Sequence, residues 1–129
     1  MRFQKTVKNK WQKKFNNKSK IEQLIIRSNL LGGDLRVTNF GGGNTSSKII
    51  AKDPINKNNQ TILYVKGSGG DLGSIKKEGF ASLYMEKLES LKNIYRGFDH
   101  EDEVVDYYPM STFNNNPRAA SIDTPLHAY

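Results

Sequence analysis

Two glycine-rich runs, "FGGGNTSSK" at residues 40–48 and "KGSGGDLG" at residues 66–73, confine what lies between them to a hairpin. After the first run, "SKIIAKD" has the apolar, β-branched content of a strand. "PINKNNQ" then supplies turn chemistry, and "TILYVKG" reads as the return strand entering the second run. Ahead of the first run, "DLRVTNF" alternates in the manner of a strand. Each glycine run is therefore expected to follow a strand, at one end of a small sheet.

Glycine lets the backbone take positive φ and brings successive N–H groups up to a ligand, which is how main-chain nests hold anions. Asn44, Thr45 and Ser46 add donors at the rim of the first run, and Ser68 sits between Gly67 and Gly69 in the second. One such loop is usually plain connection. Two in one small domain point to a shared phosphate or oxyanion site. Neither run has the P-loop pattern G-x-x-x-x-G-K-[ST], and "GSGGDLG" does not open a βαβ unit with a downstream acid, so nucleotide binding is disfavoured.

The rest of the chain supplies helices. Ser19 and Glu22 have capping-box spacing, and Ile21, Leu24, Ile25 and Leu31 recur at helical intervals, which predicts a helix over 20–31 stopped by Gly32 and Gly33. "ASLYMEKLESLKNIYRG" reads as a strand end running into a helix that Gly97 ends, and "HEDEVVDYYPMST" begins with acids suited to a helix N-terminus. "PRAASIDTPLHAY" reads as a loop entering a further helix with Pro125 in its first turn.

At 129 residues with 36% apolar content, the chain makes at most one domain. It has no Cys, which excludes disulfides and thiolate metal sites. No apolar run approaches the ~20 residues of a membrane span, and the N-terminus has no secretory signal, so a cytoplasmic protein without membrane contact is expected. The net charge of +7 comes largely from residues 1–18, a basic leader rich in Lys with Trp11 and Phe15 interleaved. Charge runs of this kind usually face solvent, and no nucleic-acid partner is expected. A basic nucleic-acid binder acting through the leader stands as a separate reading.

Three stretches, "IIRSNLLGGDLRVTNFGGGNTSSK", "LYVKGSGGDLGSI" and "SIDTPLHAY", in this order and spacing resemble the N-terminal half of the class II aldolase/adducin-like family. Within it they are most similar to the aldolase part of the bifunctional rhamnulose-1-phosphate aldolase/alcohol dehydrogenase proteins. The resemblance implies an α/β fold, a three-layer α/β/α domain around a mainly antiparallel sheet, of which residues 19–129 form the N-terminal half. It also implies a phosphorylated ketose as partner, cleaved by a retro-aldol reaction from rhamnulose 1-phosphate to dihydroxyacetone phosphate and lactaldehyde. By the same resemblance, Gly43 and Asn44 match one phosphate-binding pair and Ser68 and Gly69 another. Ser121 matches a further phosphate donor, and Asp123 the catalytic carboxylate. In the family's Ser-Ser-Glu element this chain has Ser121, Ile122 and Asp123, so one hydroxyl is lost and the acid is one methylene shorter.

The chemistry explains the need for these parts. Cleaving a carbon–carbon bond beside a carbonyl leaves an enediolate, which Zn²⁺ stabilises in the family while a carboxylate moves the proton. Asp123 has a second reading, because an acid before Thr124 and Pro125 is a common helix N-cap. His127, four residues on, would share its face on a helix, and His100 lies among acids. The family's zinc histidines lie in an H-x-H element and a later His; this sequence has two His and no H-x-H. The expectation is thus a truncated aldolase domain that by itself binds no zinc and shows no turnover. Open strand edges would follow, and with them a possible homo-oligomer. A non-catalytic, adducin-like binding or assembly module is the alternative.

Overall fold

The apolar residues of "NQTILYVK" are run together instead of alternating, as in a strand covered on both faces. In the computed structural model, which describes residues 8–129, this segment is the middle strand of a three-stranded antiparallel sheet. The order is β1 (Ser46–Lys52), β2 (Asn59–Lys66) and β3 (Phe80–Tyr84). Ile62, Leu63 and Val65 of β2 are wholly buried.

Register assigns the faces. Leu63 lies opposite Leu83 and Val65 opposite Ala81, so these four side chains share one side of the sheet. They form the main core with Met85 and Leu88 of α2 (Met85–Ser90), Val104 of α3 (Glu101–Val105), Ala128 of α4 (Thr124–Ala128), Leu91 and Tyr108. The other side carries Ile62, Tyr64 and Lys66 opposite Tyr84, Ser82 and Phe80. Phe113 meets the Tyr84 ring edge-on there, with centroids 5.4 Å apart.

Helix α1 (Lys20–Gly32) starts as its sequence predicts. Ser19 Oγ accepts from Glu22 N, and the Glu22 carboxylate accepts from Ser19 N at 2.9 Å, completing a capping box. Its polar side chains fasten it to the sheet end. Ser28 Oγ and Thr45 Oγ1 share a hydrogen bond of 2.7 Å, and Arg27 Nη2 donates to Ser46 O at 3.0 Å. Asn29 Nδ2 donates to Leu72 O and Ile75 O, each at 3.2 Å, tying the helix to the second glycine run.

The strand expected over "DLRVTNF" is not formed. The Asp34 carboxylate accepts from Arg36 N, Nε and Nη2 at 3.0, 3.0 and 2.9 Å, while Val37 N and Thr38 N donate to Asp34 O. An acid capturing the backbone two residues on makes a turn. Leu35 and Val37, whose alternation suggests a strand, are 69% and 47% exposed, so no buried face rewards extension. The helix expected to run to Gly97 is regular only to Ser90, then tightens into a 3₁₀ turn over Leu91–Asn93.

The two sheet edges differ. β3 is flanked by the segment around Phe113, whose N–H donates to Ser82 O at 2.8 Å, and Leu83 bridges to Thr112. β1 has no further strand on its outer edge among the described residues, and its Ile50 is 71% exposed. The basic leader is described only from Lys8 on, and Arg2 and Lys5 lie outside the described residues. Trp11 meets Phe15 edge-on and, with Leu30 and Leu31 of α1, lines a cavity of about 410 Å³. Among the described residues, no helix is long and apolar enough to cross a membrane.

Candidate functional site

The end of β2 is where three segments far apart in sequence meet. Lys66 N donates to Thr45 O at 3.0 Å, which brings the first glycine run alongside the strand end. One residue on, Gly67 bridges to Ala120, which brings in the segment that carries Ser121. Asn44 Nδ2 closes the ring by donating to Ser121 Oγ at 3.2 Å. The glycine runs are also joined directly, because Asp71 Oδ1 accepts from Gly41 N at 3.3 Å.

Steric room sets Gly67. A Cβ there would lie 2.4 and 2.6 Å from Arg118 Cδ and Cγ and 2.8 Å from Ala119 O. The segment around Ala120 can therefore come close only to a residue without a side chain. Gly43 has φ of +85°, a left-handed conformation that turns its peptide out of the chain direction and that L side chains resist.

Among the described residues, no acceptor takes the N–H of Gly43, Asn44, Ser68 or Gly69. These main-chain donors are available to a ligand. The Ser121 hydroxyl is buried and accepts from both Asn44 Nδ2 and Asp123 N, each at 3.2 Å, leaving its own proton to donate. Asn44 Oδ1 is buried with no partner. Rotating the amide by half a turn would exchange a bare oxygen for a bare NH₂, so one edge of this side chain lacks a protein partner in either orientation.

Asp123 occupies the N-cap position of α4 without capping it. Thr124 N and Thr124 Oγ1 both donate to Ser121 O, at 3.0 and 2.6 Å, and the Asp123 carboxylate makes no hydrogen bond among the described residues. The capping interpretation of this acid therefore fails on geometry. Ile122, between Ser121 and Asp123, is 71% exposed.

The histidines lie in two different settings. His127 Nδ1 is 2.7 Å from Ser46 Oγ, whereas His100 Nδ1 lies 3.3 Å from Glu103 Oε1 in a group completed by Arg96. Contact with Arg96 holds the Glu103 carboxyl below its usual range. No three His, Cys, Asp or Glu side chains among the described residues are grouped to hold a metal ion.

Sequence reasoning missed Lys66. It is 5% exposed at the last position of β2, and it forms no salt bridge among the described residues. The only signal was its place at the end of an apolar strand, directly before a glycine run. Two cavities lie elsewhere: the one beneath Trp11, and one of about 490 Å³ among Leu91, Val104, Tyr108 and Tyr129. Neither is lined by Asn44, Ser68 or Asp123.

No family model matches the chain. Over 109 residues it is 38% identical to a protein of Bacillus subtilis (strain 168) described as the uncharacterized oxidoreductase YuxG, an alignment that spans 84% of this chain and 15% of that protein. In structure it is similar to the N-terminal class II aldolase domain of a conserved protein from Thermoplasma acidophilum, with a TM-score of 0.79 and 31% identity. That match covers 95% of this chain and 55% of the other. The chain thus spans a small part of the first relative and about half of the second. At this similarity the fold is that of a class II aldolase domain, and the likeness supports a class II aldolase-like family.

Proposed function

From this class II aldolase-like fold, we propose that the chain holds the phosphate of a phosphorylated ketose, with rhamnulose 1-phosphate as the specific substrate. The reading follows the branch of the family whose motifs the sequence resembles. One observation carries it: the contact of Asn44 Nδ2 with Ser121 Oγ at 3.2 Å, which joins two of the three motif segments into one cradle. The unpaired N–H groups of Gly43, Asn44, Ser68 and Gly69 are the donors assigned to the phosphate oxygens, together with the Ser121 hydroxyl.

Anchoring the phosphate fixes the reacting carbons relative to a proton-transfer group. Asp123 is assigned that role, since its carboxylate is engaged in no other hydrogen bond among the described residues and follows Ser121 by two positions. Zinc is the Lewis acid that class II aldolases generally use for the enediolate. The described residues do not fit it: His127 is engaged with Ser46, His100 with Glu103, and no third ligand joins either. No step is assigned through a metal. The polypeptide is accordingly expected to bind the phosphorylated ketose without cleaving it.

Calorimetric titration of rhamnulose 1-phosphate and of rhamnulose tests the reading. The ester is expected to bind and the free sugar not to, with Asn44→Ala and Ser121→Ala each weakening the ester. Equal behaviour of the two sugars would overturn it. The second reading is a non-catalytic, adducin-like module, in which the contact of Asn44 with Ser121 has only a structural role. Turnover in a coupled dihydroxyacetone phosphate assay with added zinc would exclude that second reading.

A further inference from the structure

The basic leader and the cavity beneath Trp11 take no part in the phosphate cradle, and we propose that together they form a second site, for a small carboxylate with an alkyl or aryl body. The cavity, about 410 Å³, is of a size that small ligands use. Trp11, Leu30, Leu31 and Val37 give it apolar walls. Leu31 and Val37 stay 37% and 47% exposed, so an apolar body laid there would take them out of water. The indole is held in place: Trp11 Nε1 donates to Asn16 Oδ1 at 2.8 Å, and the ring meets Phe15 edge-on with centroids 5.2 Å apart.

Charge at the same cavity decides the polar end of the ligand. Lys8, Lys10 and Arg27 line it, and none of them forms a salt bridge among the described residues. The acid in the lining, Asp34, is already matched, because its two oxygens accept from the Arg36 side chain at 3.0 and 2.9 Å. Arg27 is half-buried and spends one N–H on Ser46 O. That bond positions the guanidinium, whose remaining N–H groups form a fork suited to a planar carboxylate. A phosphorylated sugar, polar on all sides, gains nothing from the apolar walls, and a neutral apolar molecule leaves the cations unanswered. An anion with an apolar body meets both.

Trp11 is the chain's single tryptophan, so its emission reads the cavity directly. Titration of the full chain with octanoate, octanol and acetate tests the proposal, using wild type, Lys10→Glu and Val37→Asp. Both variants alter exposed residues and are expected to fold. Octanoate should shift the wild-type emission saturably, octanol should bind about 10-fold more weakly, and acetate should leave the emission unmoved. Lys10→Glu should lose about 10-fold for octanoate but nothing for octanol, and Val37→Asp should weaken both. No saturable shift, or equal affinities for octanoate and octanol, would overturn the proposal. So would a shift with a single-stranded oligonucleotide and none with octanoate, which would give the leader a nucleic-acid role instead. Should Lys10→Glu not fold, wild type at low and high salt decides. Octanoate affinity should then fall as salt rises while octanol affinity does not, and identical salt responses sink the idea. Inorganic phosphate should not displace octanoate, because neither Asn44 nor Ser121 lines this cavity, and displacement would refute a separate site.

Discussion

Asn44 donates to Ser121 Oγ at 3.2 Å across 77 positions of sequence, and the same oxygen receives the N–H of Asp123. One buried hydroxyl thus fixes the first glycine run against the segment that carries the acid. Replacing Ser121 by Ala leaves two donors facing a methyl group, beside an Asn44 Oδ1 that already lacks a partner. The expected loss is about 1–3 kcal/mol in urea unfolding. Phosphate affinity should fall together with stability.

Gly67→Ala puts a Cβ 2.4 Å from Arg118 Cδ and 2.8 Å from Ala119 O. The arginine stem can swing away, but the carbonyl belongs to the segment whose Ala120 bridges to Gly67. The substitution is expected to cost about 1–3 kcal/mol, as other overpacked sites do. The double variant with Arg118→Ala should recover only part of that, read as the difference between the two denaturation midpoints.

Asp123→Asn separates the two roles considered for this acid. Since the carboxylate caps nothing, stability should stay within about 0.5 kcal/mol of wild type. Phosphate binding should also be retained. A loss of a cap's size, about 1 kcal/mol in thermal unfolding, would return the residue to a structural role.

The turn after α1 carries a pH dependence. Hydrogen bonds from the Arg36 side chain and backbone, and its positive charge, lower the Asp34 carboxyl to about 2 from an ordinary 3.8. A carboxylate whose folded value is depressed stabilises the native state above its unfolded value, and that contribution is lost as pH falls through the folded one. The difference in stability between wild type and Asp34→Asn should therefore be constant above about pH 4 and shrink between about pH 4 and 2. Thermal unfolding of both proteins across that range checks the sign, which would be reversed if the turn favoured the protonated acid.

The accuracy of the sequence reading follows a physical line. The capping box at Ser19 and Glu22, the hairpin between the glycine runs and the helix begun by Thr124 and Pro125 are local events, decided within a few residues. "DLRVTNF" has the alternation of a strand, but alternation is rewarded only where one face is buried, and at Leu35 and Val37 nothing covers them. The Asp34 side chain then takes the backbone into a turn. Lys66 was passed over for the same reason: its type says surface, and only the pairing of β2 with β1 and β3 buries it.

Composition and local pattern by themselves determined where the glycine runs lie, which stretches form the hairpin and the first helix, and which residue types stand at each loop. Tertiary structure alone decided that residues 44, 67 and 121 become neighbours, and that Asp123 is left uncapping. Turns and helix caps form from interactions between residues a few positions apart, which a sequence displays directly. Burial and long-range hydrogen bonds depend on which surfaces the folded chain brings together, and only the packed sheet with its covering segments specifies that.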